Sequence, residues 1–189
     1  MSIELVYETH AITTDNEAGV ATGWLPGRLS AAGRASAAEL GVRRRHDGID
    51  IVYVSDLERA LETARIAFGD APMSMVIDAR LRECNYGRMN GMPRAQLDLE
   101  RRGHLEAPWP DGESYRDVVA RTADVLEEIA ARWDGSRVLL IAHSANHWAI
   151  EHLLLRRDLR DVVAAGMTWQ AGWEYVLPTG WRRPREATS

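Results

Sequence analysis

No lysine occurs anywhere in the chain: all 23 basic residues among its 189 are arginine. That absence removes Schiff-base catalysis and the phosphate-binding lysine of a P-loop from consideration. The arginine excess itself is read as genomic base composition and carries no functional weight. Cysteine is almost as scarce. Cys84 alone excludes an internal disulfide framework and any multi-cysteine zinc site within one chain, and it fits a reducing cytoplasm. No run of eighteen apolar residues is present and the start is not basic-then-apolar, so neither a membrane span nor a signal peptide is expected. A net charge of −5 argues against general nucleic-acid binding. The expected setting is therefore cytoplasmic, with small molecules as partners and neither nucleic acid nor membrane. Neither a monomer nor a homodimer is excluded. Hydrophobic content of 46% with 27% charge is ordinary for a globular protein, and the length predicts one domain over 1–189.

What is present alternates strands with helices, which predicts an α/β fold with a mainly parallel sheet covered on both faces. Ile3 to Tyr7 reads as the first strand. Ser30 caps a helix to about Leu40. A strand over Ile49 to Val54 leads into a helix from Leu57 to about Ala67, with Ser55 or Asp56 as its cap. Met75 to Ile77 is a short strand. Residues 81–110, rich in Gly, Pro and Arg, read as an insertion over the sheet edge with one short helix from Arg94 to Arg101. Ser114 opens the longest helix, to about Trp133, with Val118, Val119, Ala123, Leu126 and Ile129 as its apolar stripe. The strand Val138 to Ala142 and a helix from Ala145 to Leu155 follow. Trp173 to Leu177 is the last strand, before a polar tail over 179–189 that is expected to fray.

Two histidines carry the chemistry. His10 and His143 each stand just past the C-terminal end of a strand, where open α/β sheets keep their sites. His10, Thr13 and Asn16 fall on the spacing Arg-His-Gly-x-Thr-x-x-Asn. Gly23-Trp24-Leu25-Pro26 with Leu29-Ser30 and Gly33 follows, then Ser55-Asp56-Leu57-Glu58-Arg59-Ala60 with Thr63-Ala64. Leu81-Arg82-Glu83 with Tyr86-Gly87 and Gly91, Gly112-Glu113-Ser114-Tyr115, and Ala142-His143 complete the series. In this order, over nearly the whole chain, the motifs resemble the histidine phosphatase, or phosphoglycerate mutase-like, superfamily. The resemblance implies a three-layer α/β/α fold, no metal and no cofactor. It also implies a phosphohistidine on His10, His143 as second histidine, Arg59 as phosphate clamp, Asn16 as a supporting ligand and Glu83 as general acid. The physics suits these roles. A neutral imidazole is a nucleophile near pH 7, and a guanidinium fork matches phosphate bidentately.

The motif is also broken. Thr9 stands where the family carries arginine, Glu8 replaces an apolar residue, Ala11 and Ile12 follow His10, and Ser144 follows His143. Losing one charge-assisted contact to a phosphoryl group is worth roughly 1.5–3 kcal/mol, one or two decades in rate. Another arginine could fill the gap, with Arg28, Arg82, Arg88 and Arg43-Arg44-Arg45 as candidates. Alternatively Glu8, His10, Glu83 and His143 form a new constellation for non-phosphatase chemistry, or the chain is an inactive binding protein. A metal set of Glu8, His10 and His143 is a weaker reading, and Glu8 as an ion-pair partner of a nearby arginine is an equal one. The expectation is a phosphomonoester hydrolase of the histidine acid phosphatase type. Its substrate-binding residues are Glu8, Thr9, Asn16, Arg59 and Ser144, with Trp24, Trp109 and Trp148 as candidates for an apolar wall. Hydrolase is preferred to mutase because residues 81–110 leave little room for a long mutase-type insertion.

Overall fold

β1, Ser2–Thr9, has apolar residues on both faces, which places it inside a sheet rather than at its edge. In the computed structural model, which describes residues 2–69, 71 and 73–184, the elements run α1 (Thr14–Glu17), β2 (Val20–Ala21), α2 (Ala31–Arg44), β3 (Ile51–Val54), α3 (Glu58–Phe68) and β4 (Met75–Ile77) after β1. β5 (Met92–Pro93), α4 (Arg94–Glu100), α5 (Tyr115–Arg132), β6 (Arg137–Ala142), α6 (Ser144–Leu155), α7 (Leu159–Ala165) and β7 (Trp173–Pro178) follow. The main sheet has the order β4-β3-β6-β1-β7. Its first four strands are parallel and β7 closes one edge antiparallel. β7 shows why an antiparallel edge is tolerated, since its residues alternate between buried and exposed.

The pleat sorts β1 between two layers. Ile3, Leu5 and Tyr7 join the cluster that α5, α6 and α7 complete, while Val6 joins Leu40 of α2 and the buried alanines of α3. Ser30 caps α2 by accepting from the Gly33 amide at 3.1 Å. Ser114 and Asp117 form a reciprocal capping box at α5.

Several expectations need correction. The residue at the cap position of α3 is Leu57, which makes no side-chain cap; Ser55 and Asp56 are engaged elsewhere, as described below. The insertion is more ordered than expected: β5 pairs with β2 to form a two-stranded ribbon, and α7 lies in a stretch that has no expected element. The tail does not fray where it is described. Trp181 packs against the core, and Arg183 pairs with Glu127 at 3.1 Å and with Asp124. Residues 185–189 lie outside the described residues.

The same pleat puts Glu8 on the α2 side of the sheet, where it is nearly inaccessible at 2%. Arg44 at the end of α2 meets it at 2.9 Å and Arg43 at 3.4 Å, while Arg44 also reaches Asp47 at 2.7 Å. Gly172 closes over this pair with a positive φ of 86°, and a Cβ there would stand 2.7 Å from Glu8 Oε1. Only glycine accommodates both the left-handed backbone and the close approach. Removing one partner of a buried pair strands the other charge, at about 3–5 kcal/mol. Arg44→Ala is accordingly expected to lower Tm by on the order of 10 °C for a domain of this size. Replacing both partners with apolar residues, E8M together with R44L, should recover most of that loss in a thermal melt. A double variant no more stable than R44A would show that a stranded Glu8 carboxylate is not the source of the loss.

Candidate active site

β1 ends at Thr9, but its ladder continues one step: the His10 amide donates to the Ala142 carbonyl at 2.9 Å. β6 ends at that same alanine, so His143 follows directly beside His10. Their ring centroids are 5.0 Å apart. The Tyr7 hydroxyl donates to the His143 carbonyl at 2.5 Å and fixes the turn into α6 from below.

The ring of His10 has a defined polarity. Nδ1 lies 2.7 Å from the Ala11 carbonyl, which can only accept, so Nδ1 carries the proton and Nε2 the lone pair. Arg59 Nε donates to that lone pair at 3.3 Å. Arg59 is the second residue of α3, 3% exposed, and its Nη2 donates to the Gly23 carbonyl at 2.8 Å. Gly23 adopts φ of 55°, and a Cβ there would overlap the Asn90 side chain, so the turn that aims this carbonyl requires glycine. Arg59 Nη1 is buried with no partner among the described residues.

One turn further along α3, Thr63 accepts from the Ala11 amide at 3.0 Å and donates to the Arg59 carbonyl at 2.7 Å. Ser55, before the helix, holds His143 Nε2 at 2.9 Å through Oγ, which also accepts from the Leu57 amide at 3.3 Å. His143 is wholly buried behind His10, and its Nδ1 has no partner. Glu83 is held at the start of α6: Oε1 accepts from the Cys84 amide at 2.8 Å and from the Ala145 amide at 3.3 Å. Asn16 Oδ1 accepts from the Thr13 amide at 3.0 Å within the capping box of α1, leaving its amide N–H groups for other work.

Two adjoining cavities open at His10. The smaller, about 60 Å³, is polar and is lined by His10, Asn16, Arg59, Glu83, Arg94, Arg101, Ser144 and Trp148 among others. The larger, about 370 Å³, brings Thr9, Ile12, Met167 and Trp169 to the same four residues His10, Asn16, Arg94 and Ser144. Three guanidinium groups against one carboxylate give the small cavity a cationic lining, suited to an oxyanion.

Of the expected site residues, His10, Thr9, Asn16, Arg59, Glu83 and Ser144 line one or both cavities, and His143 backs His10 without reaching a wall. Glu8 does not belong with them, because Arg43 and Arg44 draw its carboxylate to the end of α2. The constellation of Glu8 with His10, Glu83 and His143 therefore does not form. Among the described residues, no three His, Cys, Asp or Glu side chains converge as a metal site. None of the candidate replacement arginines reaches a cavity wall. Arg82 is bound to Asp56 at 2.6 Å and lies over Trp24, Arg88 pairs with Asp111, Arg45 donates to the Ala67 carbonyl, and Arg28 is exposed. Trp148 is on the wall, but Trp109 packs on Tyr86 and His104, and Trp24 donates to the Glu83 carbonyl at 2.6 Å. His147 is packed below the site against Tyr7, Trp173 and Tyr175. Arg94, Arg101, Met167 and Trp169 are among the wall residues that sequence reasoning did not single out.

Burial, then the charge of Arg59, pulls the His10 imidazole down to about 3, with the Ala11 carbonyl opposing. Burial together with Arg59 and His10 holds His143 well below its ordinary value, and burial takes His147 to about 4. All three rings are therefore neutral near pH 7. Each takes up a proton more readily when unfolded, so their contribution to stability is complete above pH 6.5 and is lost as pH falls toward these lowered values. Between pH 6.5 and about 5, above the ordinary carboxylate range, Tm is expected to fall, and His10→Asn to flatten the slope. A Tm independent of pH over that window, in wild type and variant alike, would contradict the neutral assignment.

A mainly parallel α/β sheet that brings an imidazole pair, a buried guanidinium and a carboxylate to one cavity is a phosphoglycerate mutase-like architecture. The model of the histidine phosphatase superfamily (branch 1) matches residues 9–173, and the chain belongs to that superfamily. It is 32% identical to glucosyl-3-phosphoglycerate phosphatase of Mycobacterium tuberculosis (strain ATCC 25618 / H37Rv), over 89% of this chain and 82% of the relative. It is 31% identical to a 2,3-bisphosphoglycerate-dependent phosphoglycerate mutase of Parvibaculum lavamentivorans, over 92% and 90%. Among solved structures, the mycobacterial glucosyl-3-phosphoglycerate phosphatase superposes with a TM-score of 0.76 at 27% identity, covering 88% of this chain and 85% of that one. Bacillus stearothermophilus YhfR superposes with 0.79 at 25%, covering 94% and 96%.

Proposed function

We propose that the chain is a metal-independent phosphomonoester hydrolase that works through a phosphohistidine on His10. One observation carries this reading: beside the His10 lone pair Arg59 keeps a buried donor, Nη1, that has no partner among the described residues. A buried unpaired donor is unfavourable, and one beside His10, in a cavity that two further guanidinium groups line, suits the oxygens of a tetrahedral anion. On binding, Arg59 turns from His10 Nε2 to a phosphoryl oxygen and frees the lone pair. Nε2 then bonds to phosphorus as the ester P–O bond breaks, and the Glu83 carboxyl gives its proton to the departing oxygen. In the second half, Glu83 takes a proton from water, the oxygen attacks phosphorus, and the N–P bond breaks to release phosphate.

The larger cavity suits the departing group. Ile12, Met167 and Trp169 give it apolar wall, so the ester's alcohol is read as a small metabolite with an apolar or aromatic part. Hydrolase is preferred to mutase because the segment over the site is compact, with α4 and the β2-β5 ribbon crossing it and no long insertion to shelter a phosphoryl enzyme from water. With Glu8 tied to Arg44, the non-phosphatase reading has lost the carboxylate it needs, and inactivity is left as an outcome of the test.

Release of phosphate from an aryl phosphate, without added metal and with chelator present, is expected from the wild type and not from His10→Ala. An acid-labile phosphoryl group on the wild type, seen by 31P NMR after quenching, should accompany it. Arg59→Ala is expected to lower kcat/KM about 10- to 100-fold, as one charge-assisted contact would. A folded wild type with no turnover on aryl, sugar or nucleotide phosphates would sink the hydrolase reading. Trp169→Ala should raise KM for aryl esters more than for small aliphatic ones; equal changes would remove the apolar role of that wall.

A further inference from the structure

The missing motif arginine leaves the strand end beside His10 without a cation. Thr9 is 8% exposed and lines the larger cavity beside His10, so the position is open to ligand but carries no charge. Arg94, the first residue of α4, lines that cavity together with Thr9 and is the one arginine on the walls of both cavities. It comes from the insertion, far from the broken motif in sequence.

Its surroundings distinguish it from the other guanidinium groups. Arg59 is buried and anchored to the Gly23 carbonyl beside His10. Arg101 is 4% exposed, its Nη groups taken by Asp98 and the Val163 carbonyl, and it is fixed over Trp148 at 5.1 Å. Among the described residues, the Arg94 side chain is held only by Asp98, one helical turn away at 3.0 Å, with both groups about half exposed. Such an i, i+4 pair contributes little and is readily exchanged for a stronger partner. Asp98 is moreover shared with Arg101, so one carboxylate faces two guanidinium groups and a positive charge remains uncompensated. A dianion entering at His10 offers Arg94 a bidentate partner that Asp98 does not.

We propose that Arg94 is the replacement phosphate clamp, swinging from Asp98 onto the phosphoryl group held at His10 in place of the arginine that Thr9 lacks. The proposal rests on the phosphoryl reading of the site and adds the residue that completes it. A clamp delivered from α4 reaches the oxygens from the cavity side and not from the strand end. It is therefore assembled by binding, whereas an arginine at position 9 would be preset.

The test uses the full chain and two readouts: inorganic phosphate binding by calorimetry, and turnover of an aryl phosphate. The variants are Arg94→Ala, Arg94→Lys, T9R in the R94A background, and Arg102→Ala as an exposed neighbouring control. R94A is expected to weaken phosphate binding and lower kcat/KM, each about 10- to 100-fold, with Tm unchanged. R94K should fall between, R102A should match the wild type, and T9R added to R94A should recover at least part of both losses. Wild-type affinity for phosphate in R94A, or equal weakening in R102A, would overturn the clamp. Phosphate binding that depends on Arg94 in a protein without turnover would keep the clamp and remove the hydrolase. A wild type that binds no phosphate would remove both.

Discussion

The parallel pairing of β1 with β6 is the constraint on which the site depends. Thr9 is in register with Ala142, and the His10 amide extends the ladder by one bond to that same residue. Because both strands end together, two imidazoles that are far apart in sequence emerge side by side with no loop to position them. A slip of one residue would turn His10 to the other face of the sheet and separate the rings. Register here is over-determined. Tyr7 is packed in the α5–α6 cluster while its hydroxyl ties the His143 carbonyl, and Glu8 is anchored to α2 on the other side. The residues flanking the nucleophile thus act on strand placement, and the odd carboxylate at position 8 belongs to that framework and not to the chemistry.

The α3 segment shows how a sequence motif can be a set of mechanical parts. Ser55 holds the second imidazole, Arg59 reaches the first, and Thr63 ties the loop after His10 through the Ala11 amide. Their spacing, four residues at each step, is one helical turn once α3 begins, so a single helix end aligns two strand ends. That is the physical content of the Ser-Asp-Leu-x-Arg-Ala-x-x-Thr-Ala pattern. It also explains why Ser55 does not cap α3, since its hydroxyl is committed to His143. The helix opens without a side-chain cap, and a local stabilising contact is given up to orient a site residue.

Strand ends and motif spacing made the sheet, the histidine pair, Arg59 and Glu83 readable before any coordinates, because each depends on local period or on order along the chain. The partner of an arginine is different. Arg82, Arg88 and Arg45 all sit in segments that suggest the site, and each is claimed by an acid or carbonyl that only the tertiary fold brings near. Glu8 was ambiguous for the same reason, because Arg44 lies 36 residues away in the chain. Arg94 and Arg101 did leave a signal, since the insertion helix is bounded by two arginines, but nothing local says which way that helix faces. Trp169 sits in a stretch without periodicity and left none. The described part of the tail was misread because its polar side chains find partners on α5.

The loss of the motif arginine becomes intelligible once charge is counted around the cavity and not along the motif. An arginine at position 9 would enter the cavity beside His10, on the opposite face of β1 from the Glu8 ion pairs. Adding a guanidinium there would put a further cation beside a neutral nucleophile whose imidazole Arg59 already depresses. Placing the cation on α4 keeps it half solvated and paired with Asp98 until an anion arrives, so the empty site carries less self-repulsion. It also places that cation on α4, which lies over the two-stranded ribbon rather than on the main sheet. The buried half of the site, His10, Arg59 and His143, is built on the ends of two interior strands and the start of α3. The cation that completes it comes from the half-exposed insertion, which joins anion recognition to the segment that also borders the departing group.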